Sequence, residues 1–132
     1  MLNNQISINQ ISINQSSKFK AQYSFQDRFS ESARILKKHP ERIPIILEKS
    51  KANSFNLPDI MKSKYLVPKE LTVCQFNFFV RQRLKLATDE SLFLFINKKV
   101  ISSTCIIGDV YQYEKDDDGF MYVEYAREQT FG

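Results

Sequence analysis

The chain has no tryptophan, one histidine, two cysteines, three glycines and four prolines in 132 residues. Three glycines exclude a collagen-like or glycine-rich fibre and leave no phosphate-cradling glycine loop. No apolar run approaches the roughly 18 residues that a bilayer-spanning helix needs. Cys74 and Cys105 have neither metal-ligand spacing nor a disulfide framework, so a reducing cytoplasm is expected and both are expected to be small buried residues. His39, directly before Pro40, is expected to fill an aromatic position rather than act as a base, and no signature pairs it with a cysteine. Asp116-Asp117-Asp118-Gly119 loosely resembles a calcium loop. It lacks the remaining ligand spacing and the closing Glu, so a solvated turn is expected. No catalytic residue, metal site or cofactor is predicted.

Charge is absent from residues 1–17 and uneven beyond them. Lys18 to Val100 carries 17 Lys and Arg against 8 Asp and Glu, whereas Ile101 to Gly132 carries 2 against 7. A basic body of net +9 suits an acidic partner. No nucleic-acid motif accompanies it, so nucleic acid is not expected. The first 17 residues are a separate piece. Asn4 to Gln15 repeats Asn-Gln-Ile-Ser-Ile, with no basic or continuous apolar region of a secretory signal. Its isoleucines alternate with serine as in a strand. Residues 1–17 are expected to be a disordered tail with some tendency to β-association, and residues 18–132 one domain.

That domain alternates helical and strand patterns. Ser24 with Asp27 signals a helix start, Phe25, Phe29, Ser32 or Ala33 and Ile35/Leu36 recur at helical spacing, and Pro40 ends the helix near His39. Arg42 to Glu48 reads as a strand, with Pro44 predicting an edge. Lys49 to Met61 reads as a loop and Lys64 to Val67 as a second strand closed by Pro68. Thr72 and Gln75 form a capping box for a helix through Lys85, with Val73, Phe76, Phe79/Val80 and Leu84 as its core stripe. Ser91 to Ile96 reads as a strand covered on both faces, Thr104 to Tyr113 as a weaker helix, and Phe120 to Tyr125 as the last strand. Strand, strand, helix, strand, helix, strand is the β-grasp order.

Ordered motifs then carry a resemblance. They are His39-Pro40-Glu41-Arg42-Ile43-Pro44, Lys64-Tyr65-Leu66-Val67-Pro68, Leu71-Thr72-Val73 with Gln75-Phe76, and Arg81 with Arg83. Leu92 to Asn97, Asp118 to Tyr122 and the terminal Phe131-Gly132 complete them. From about Lys18 to Gly132 the chain resembles the autophagy ubiquitin-like modifiers of the GABARAP and microtubule-associated-protein light chain 3 type. It departs from their pattern in its tail, at Cys74 and His39, and at Ile101-Ser102-Ser103. The resemblance implies an α+β fold, a ubiquitin-like β-grasp with two additional N-terminal helices. It implies conjugation through Gly132 to phosphatidylethanolamine by activating and conjugating enzymes, with a cysteine protease for processing and delipidation. The expected locations are the cytoplasm and, once lipidated, the surface of autophagosomes and cytoplasmic vesicles.

It further implies docking of receptors that carry acidic-flanked aromatic-x-x-aliphatic motifs, added as a strand along Lys64 to Val67. Glu31, Ile35, Pro44, Ile46, Lys64, Leu66 and Phe120 would take the aromatic residue. Tyr65, Val67, Pro68, Leu71, Phe76 and Phe79 would take the aliphatic one. Arg42, Lys62 and Lys64 would attract the acidic flank, and Arg83 is a further peptide-binding candidate. A docking module that is never conjugated is the alternative.

Overall fold

The computed structural model describes residues 17–51 and 56–127. The repeat tail, residues 52–55 of the loop, and Gln129 to Gly132 lie outside these. Ser17, assigned to the tail from sequence, is buried, and its hydroxyl accepts from the Lys20 N–H at 3.2 Å. It thereby caps helix α1 (Lys18–Gln22), whose one buried side chain is Phe19. Helix α2 (Phe25–Lys38) starts where Ser24 accepts from the Asp27 N–H and ends before Pro40.

The buried stripe of α2 keeps Ser32 and Ile35 of the predicted positions but replaces Phe25 and Phe29 with Arg28. Arg28, Ser32 and Ile35 face inward, at i, i+4 and i+7, while Phe25 and Phe29 stack on each other at 5.9 Å, each about half exposed. Burying Arg28 and Ser32 is tolerated because both find partners in a turn far along the chain, described below.

Strands β1 (Arg42–Lys49) and β2 (Lys64–Pro68) pair antiparallel, with Ile45 opposite Tyr65. Helix α3 (Val73–Leu84) opens on the predicted capping box, and Lys85 closes it with φ of 57°. After β3 (Phe93–Ile96) and the two-residue β4 (Lys99–Val100), helix α4 (Ile107–Glu114) leads into β5 (Met121–Ala126). The sheet order is β2-β1-β5-β3-β4. The last strand is central and runs parallel to the first, Ile45 facing Met121 through Lys49 facing Tyr125.

The order corrects the prediction for Pro44: β1 is interior, not an edge. Leu47 N–H to Ser63 O and Lys69 N–H to Glu41 O fix the odd-numbered residues of β1 as the bonded pairs with β2. Pro44 therefore aims its missing donor toward β5, above the point where that ladder begins at Ile45. Leu94, Phe95 and Ile96 are all buried, as expected of a strand covered on both faces.

The sheet has two covered faces. Ile43, Ile45 and Leu47 of β1 join Val73, Phe76, Val80 and Leu84 of α3 and Ile107, Val110 and Tyr111 of α4 in the main core. On the opposite face Ile46 and Phe120 meet Phe19 of α1 and Ile35 of α2. This is the ubiquitin-like β-grasp with two N-terminal helices added across the back of the sheet.

Candidate functional site

β2 is an outer strand, and its alternation sorts the candidate residues. Tyr65 and Val67 turn their backbone groups toward β1 and their side chains into the main core. Lys64 and Leu66 turn their backbone groups to the open edge. The Leu66 carbonyl there accepts from the Arg42 guanidinium at 3.1 Å. An open edge flanked by apolar side chains is the geometry of strand addition.

The aromatic-pocket candidates come together on the helical face. Ile35, Ile46 and Phe120 form one cluster with Phe19, and Leu66 and Tyr122 pack on it. Lys64 pairs with Glu31 of α2 above this cluster. Pro44 is buried, and Ile46 and Phe120 have no exposed surface, so they are floor rather than wall. Leu66, Lys64 and Glu31 are the half-exposed members.

The aliphatic-pocket candidates lie on the other face. Tyr65 meets Phe79 edge-on at 5.4 Å, and Phe79 stacks on Phe76 at 6.2 Å. Leu71 and Phe79 are only partly buried, whereas Tyr65, Val67 and Phe76 are core. Pro68 has the parity of Lys64 and Leu66 rather than of Tyr65 and Val67. Arg83 lies 5.0 Å over the Phe79 ring and Lys62 lies 5.6 Å over Tyr65. Cations thus border both faces, each resting on an aromatic ring or a carboxylate that holds it in place.

Sequence reasoning missed the most polar centre of the molecule. Asp118, predicted in a solvated turn, has no exposed surface. Its carboxylate pairs with Arg28, accepts from the Phe120 N–H at 2.9 Å, and accepts from the Tyr122 hydroxyl at 2.5 Å. Its carbonyl accepts from Ser32 at 2.5 Å, and the neighbouring Asp116 pairs with Lys20 of α1 at 2.6 Å. Gly119 follows with φ of 91°, and a Cβ there would lie 2.2 Å from the Ser32 hydroxyl. The turn is a clasp that pins both N-terminal helices to the sheet and delivers Phe120 to the floor under Leu66. The one available signal was Arg28 and Ser32 at i, i+4 on a single helical face.

The clasp makes stability depend on alkaline pH. Burial, then the bond to Asp118, raises the Tyr122 phenol well above its ordinary value near 10, and burial pushes Tyr125 up to about 12. The folded state prefers the neutral phenols. Their contribution is complete below pH 10; that of Tyr125 is lost as pH rises from 10 toward 12, and that of Tyr122 declines from pH 10 through a still higher range. The thermal midpoint is expected to stay level from pH 7 to 9 and to fall above 10. Tyr122→Phe starts lower and falls less. A midpoint in the wild type that rises between pH 10 and 11.5 would contradict this.

The two cysteines correct their prediction. Cys74 is exposed on α3 and Cys105 is half-buried. His39 is half-buried at the end of α2, where its N–H bonds the Ile35 carbonyl at 2.7 Å. Among the described residues no cluster of His, Cys, Asp or Glu suits a metal ion, and no helix is long and apolar enough to cross a membrane. A cavity of about 590 Å³ lies beside the candidate edge rather than within it, and its lining includes Lys18, Phe19, Ile60, Met61 and Ser63.

Comparison with known proteins finds relatives over most of the chain. Residues 27–132 match the family model described as autophagy protein Atg8, ubiquitin like. Autophagy-related protein 8 of Mycosarcoma maydis is 44% identical over 116 residues, covering 88% of this chain and 97% of the relative. Autophagy-related protein 8a of Arabidopsis thaliana is also 44% identical over 116 residues, covering 88% and 93%. The crystal structure of Trypanosoma brucei ATG8 superposes with a TM-score of 0.81 at 40% identity, covering 89% of this chain and 99% of that one. Plasmodium falciparum Atg8, solved in complex with a Plasmodium falciparum Atg3 peptide, superposes with a TM-score of 0.79 at 34% identity, covering 87% and 99%.

Proposed function

Since the chain belongs to the Atg8 family of autophagy-related ubiquitin-like proteins, we propose that it is a modifier conjugated through Gly132 to phosphatidylethanolamine. On autophagosomal membranes it serves membrane growth and docks receptors bearing acidic-flanked aromatic-x-x-aliphatic motifs. Its other partners are the activating and conjugating enzymes and the processing cysteine protease of that system. The protein contributes a carboxylate and a docking edge, and the enzymes contribute the catalysis. Its places of action are the cytoplasm and, after lipidation, the membrane surface.

The open edge of β2 is the observation that carries the docking part. It lies between an apolar cluster under Leu66 and the Tyr65–Phe79 pair, within reach of Arg42, Lys62, Lys64 and Arg83. A bound peptide would gain backbone bonds from Lys64 and Leu66, apolar contact on both faces, and charge pairing at the rim. The complex of Plasmodium falciparum Atg8 with an Atg3 peptide supports peptide docking in a relative of the same fold.

Titration with a synthetic peptide that has an acidic run before a Trp-x-x-Leu core tests this. Leu66→Ala removes the half-exposed apolar side chain at the centre of the edge, and such truncations cost about 2 kcal/mol, roughly thirtyfold in affinity. Lys64→Glu sets a second carboxylate beside Glu31 and repels the acidic run, with the larger loss at low salt. Wild-type affinity in both variants would sink the docking assignment.

A further inference from the structure

The repeat at the start of the chain has a period of five, an odd number. In a strand, successive side chains alternate faces. Ile6 and Ile8 of the first copy therefore share one face, and Ile11 and Ile13 of the second share the other. Ile8 and Ile11 are three residues apart and would straddle a strand, one on each side. β2 presents the complementary arrangement: an open edge with an apolar surface on each face, Leu66 over Phe120 and Ile46 on one, Phe79 and Leu71 on the other.

The segment also begins in the right place. Ser17 is fixed by its cap, and Lys18 lines the same cavity as Ser63, the residue before β2. Extended chain covers about 3.3 Å per residue, so residues 14–16 reach about 10 Å from Ser17. A docked segment would therefore enter at the Lys64 end of the edge, with Ile13 nearest that end. Ile11 and Ile8 follow toward Pro68, running antiparallel to β2.

We infer that residues 6–13 dock on the β2 edge of their own chain as an added strand, with Ile8 and Ile11 on opposite faces, and compete there with external peptides. This rests on the docking reading above. The segment is uncharged, so it leaves Arg42, Lys62 and Lys64 without a carboxylate partner from the added strand. An acidic-flanked ligand supplies those charges and displaces it. A short tether gives an effective concentration of about 1 mM, so a segment that binds with a dissociation constant of about 0.2 mM weakens an external ligand about sixfold.

The experiment compares the full chain, a variant lacking residues 1–15, and a full-length Ile8→Ser/Ile11→Ser variant. Each is titrated with the Trp-x-x-Leu peptide at two salt concentrations. The deletion and the double substitution are both expected to tighten binding several-fold over the full chain. The ratio should hold as salt weakens every affinity, because the competitor carries no charge. Equal affinity of all three proteins overturns the inference and leaves the docking reading intact. A ratio that collapses at high salt overturns it, as does one that grows with protein concentration, which would place the segment on a second copy. If the deletion variant does not bind the peptide at all, the docking reading itself has failed.

Discussion

Replacing Gly132 with alanine is expected to stop attachment to phosphatidylethanolamine while leaving the fold and peptide docking unchanged. Every step of the proposed chemistry acts on one group. The Gly132 carboxylate is activated, passed to an enzyme thiol, and attacked by the lipid amine. Glycine has no Cβ, so in the proposed reaction the added methyl of alanine is expected to obstruct the enzyme channels through which the terminus would have to thread. The fold is insensitive because Gly132 lies beyond the last strand, which ends at Ala126. The readout is vesicle flotation after reconstitution with the activating and conjugating enzymes. Two acyl chains buried at about 0.8 kcal/mol per CH₂ make a stable anchor, so conjugated protein floats and free protein does not. Flotation of Gly132→Ala at the wild-type level would remove this residue from the chemistry. If the wild type stays soluble while another family member floats, the unconjugated docking module is the better reading.

The second large effect is expected at Arg28. Arg28→Ala leaves the Asp118 carboxylate buried without its cation, and breaking a buried pair in this way costs about 3 kcal/mol or more. For a domain of this size the thermal midpoint should fall by on the order of 10 °C. Arg28 also donates to the Tyr23 carbonyl at 3.1 Å, so its loss releases the junction between α1 and α2 as well. Arg28→Met with Asp118→Asn removes both charges and should recover part of the loss, since no ion is then left unpaired. Calorimetry on the three proteins checks the order. An Arg28→Ala midpoint equal to the wild type would show that the clasp contributes nothing.

The elements with local signals were readable. The capping box of Thr72 and Gln75 both specifies and delivers α3, and Pro40 ends α2 where steric exclusion requires. Lys64 to Pro68 is short and proline-closed, and it does stand at the edge. What failed needed a partner distant in the chain. Arg28 and Asp118 are 90 residues apart, so the apolar pattern favoured Phe25 and Phe29 as the inner face of α2. Pro44 announced a missing donor, but only the ladder shows which neighbour that donor faces. The same holds for the candidate site. The resemblance supplied a list of residues. The alternation of β2 divides Lys64 to Pro68 between two faces, and burial separates floor residues such as Ile46 and Phe120 from the half-exposed Leu66 and Lys64.

The parallel pairing of β1 with β5 has a mechanical consequence. In the proposed arrangement a membrane pulls on the chain after Ala126 while a receptor holds β2. Tension then enters along the axis of the central strand and must cross to β1 through five register pairs, Ile45–Met121 to Lys49–Tyr125. The load acts in shear, so the backbone bonds of that ladder resist together instead of opening one after another. A tethered adaptor built this way can haul on cargo without unravelling from its anchored end.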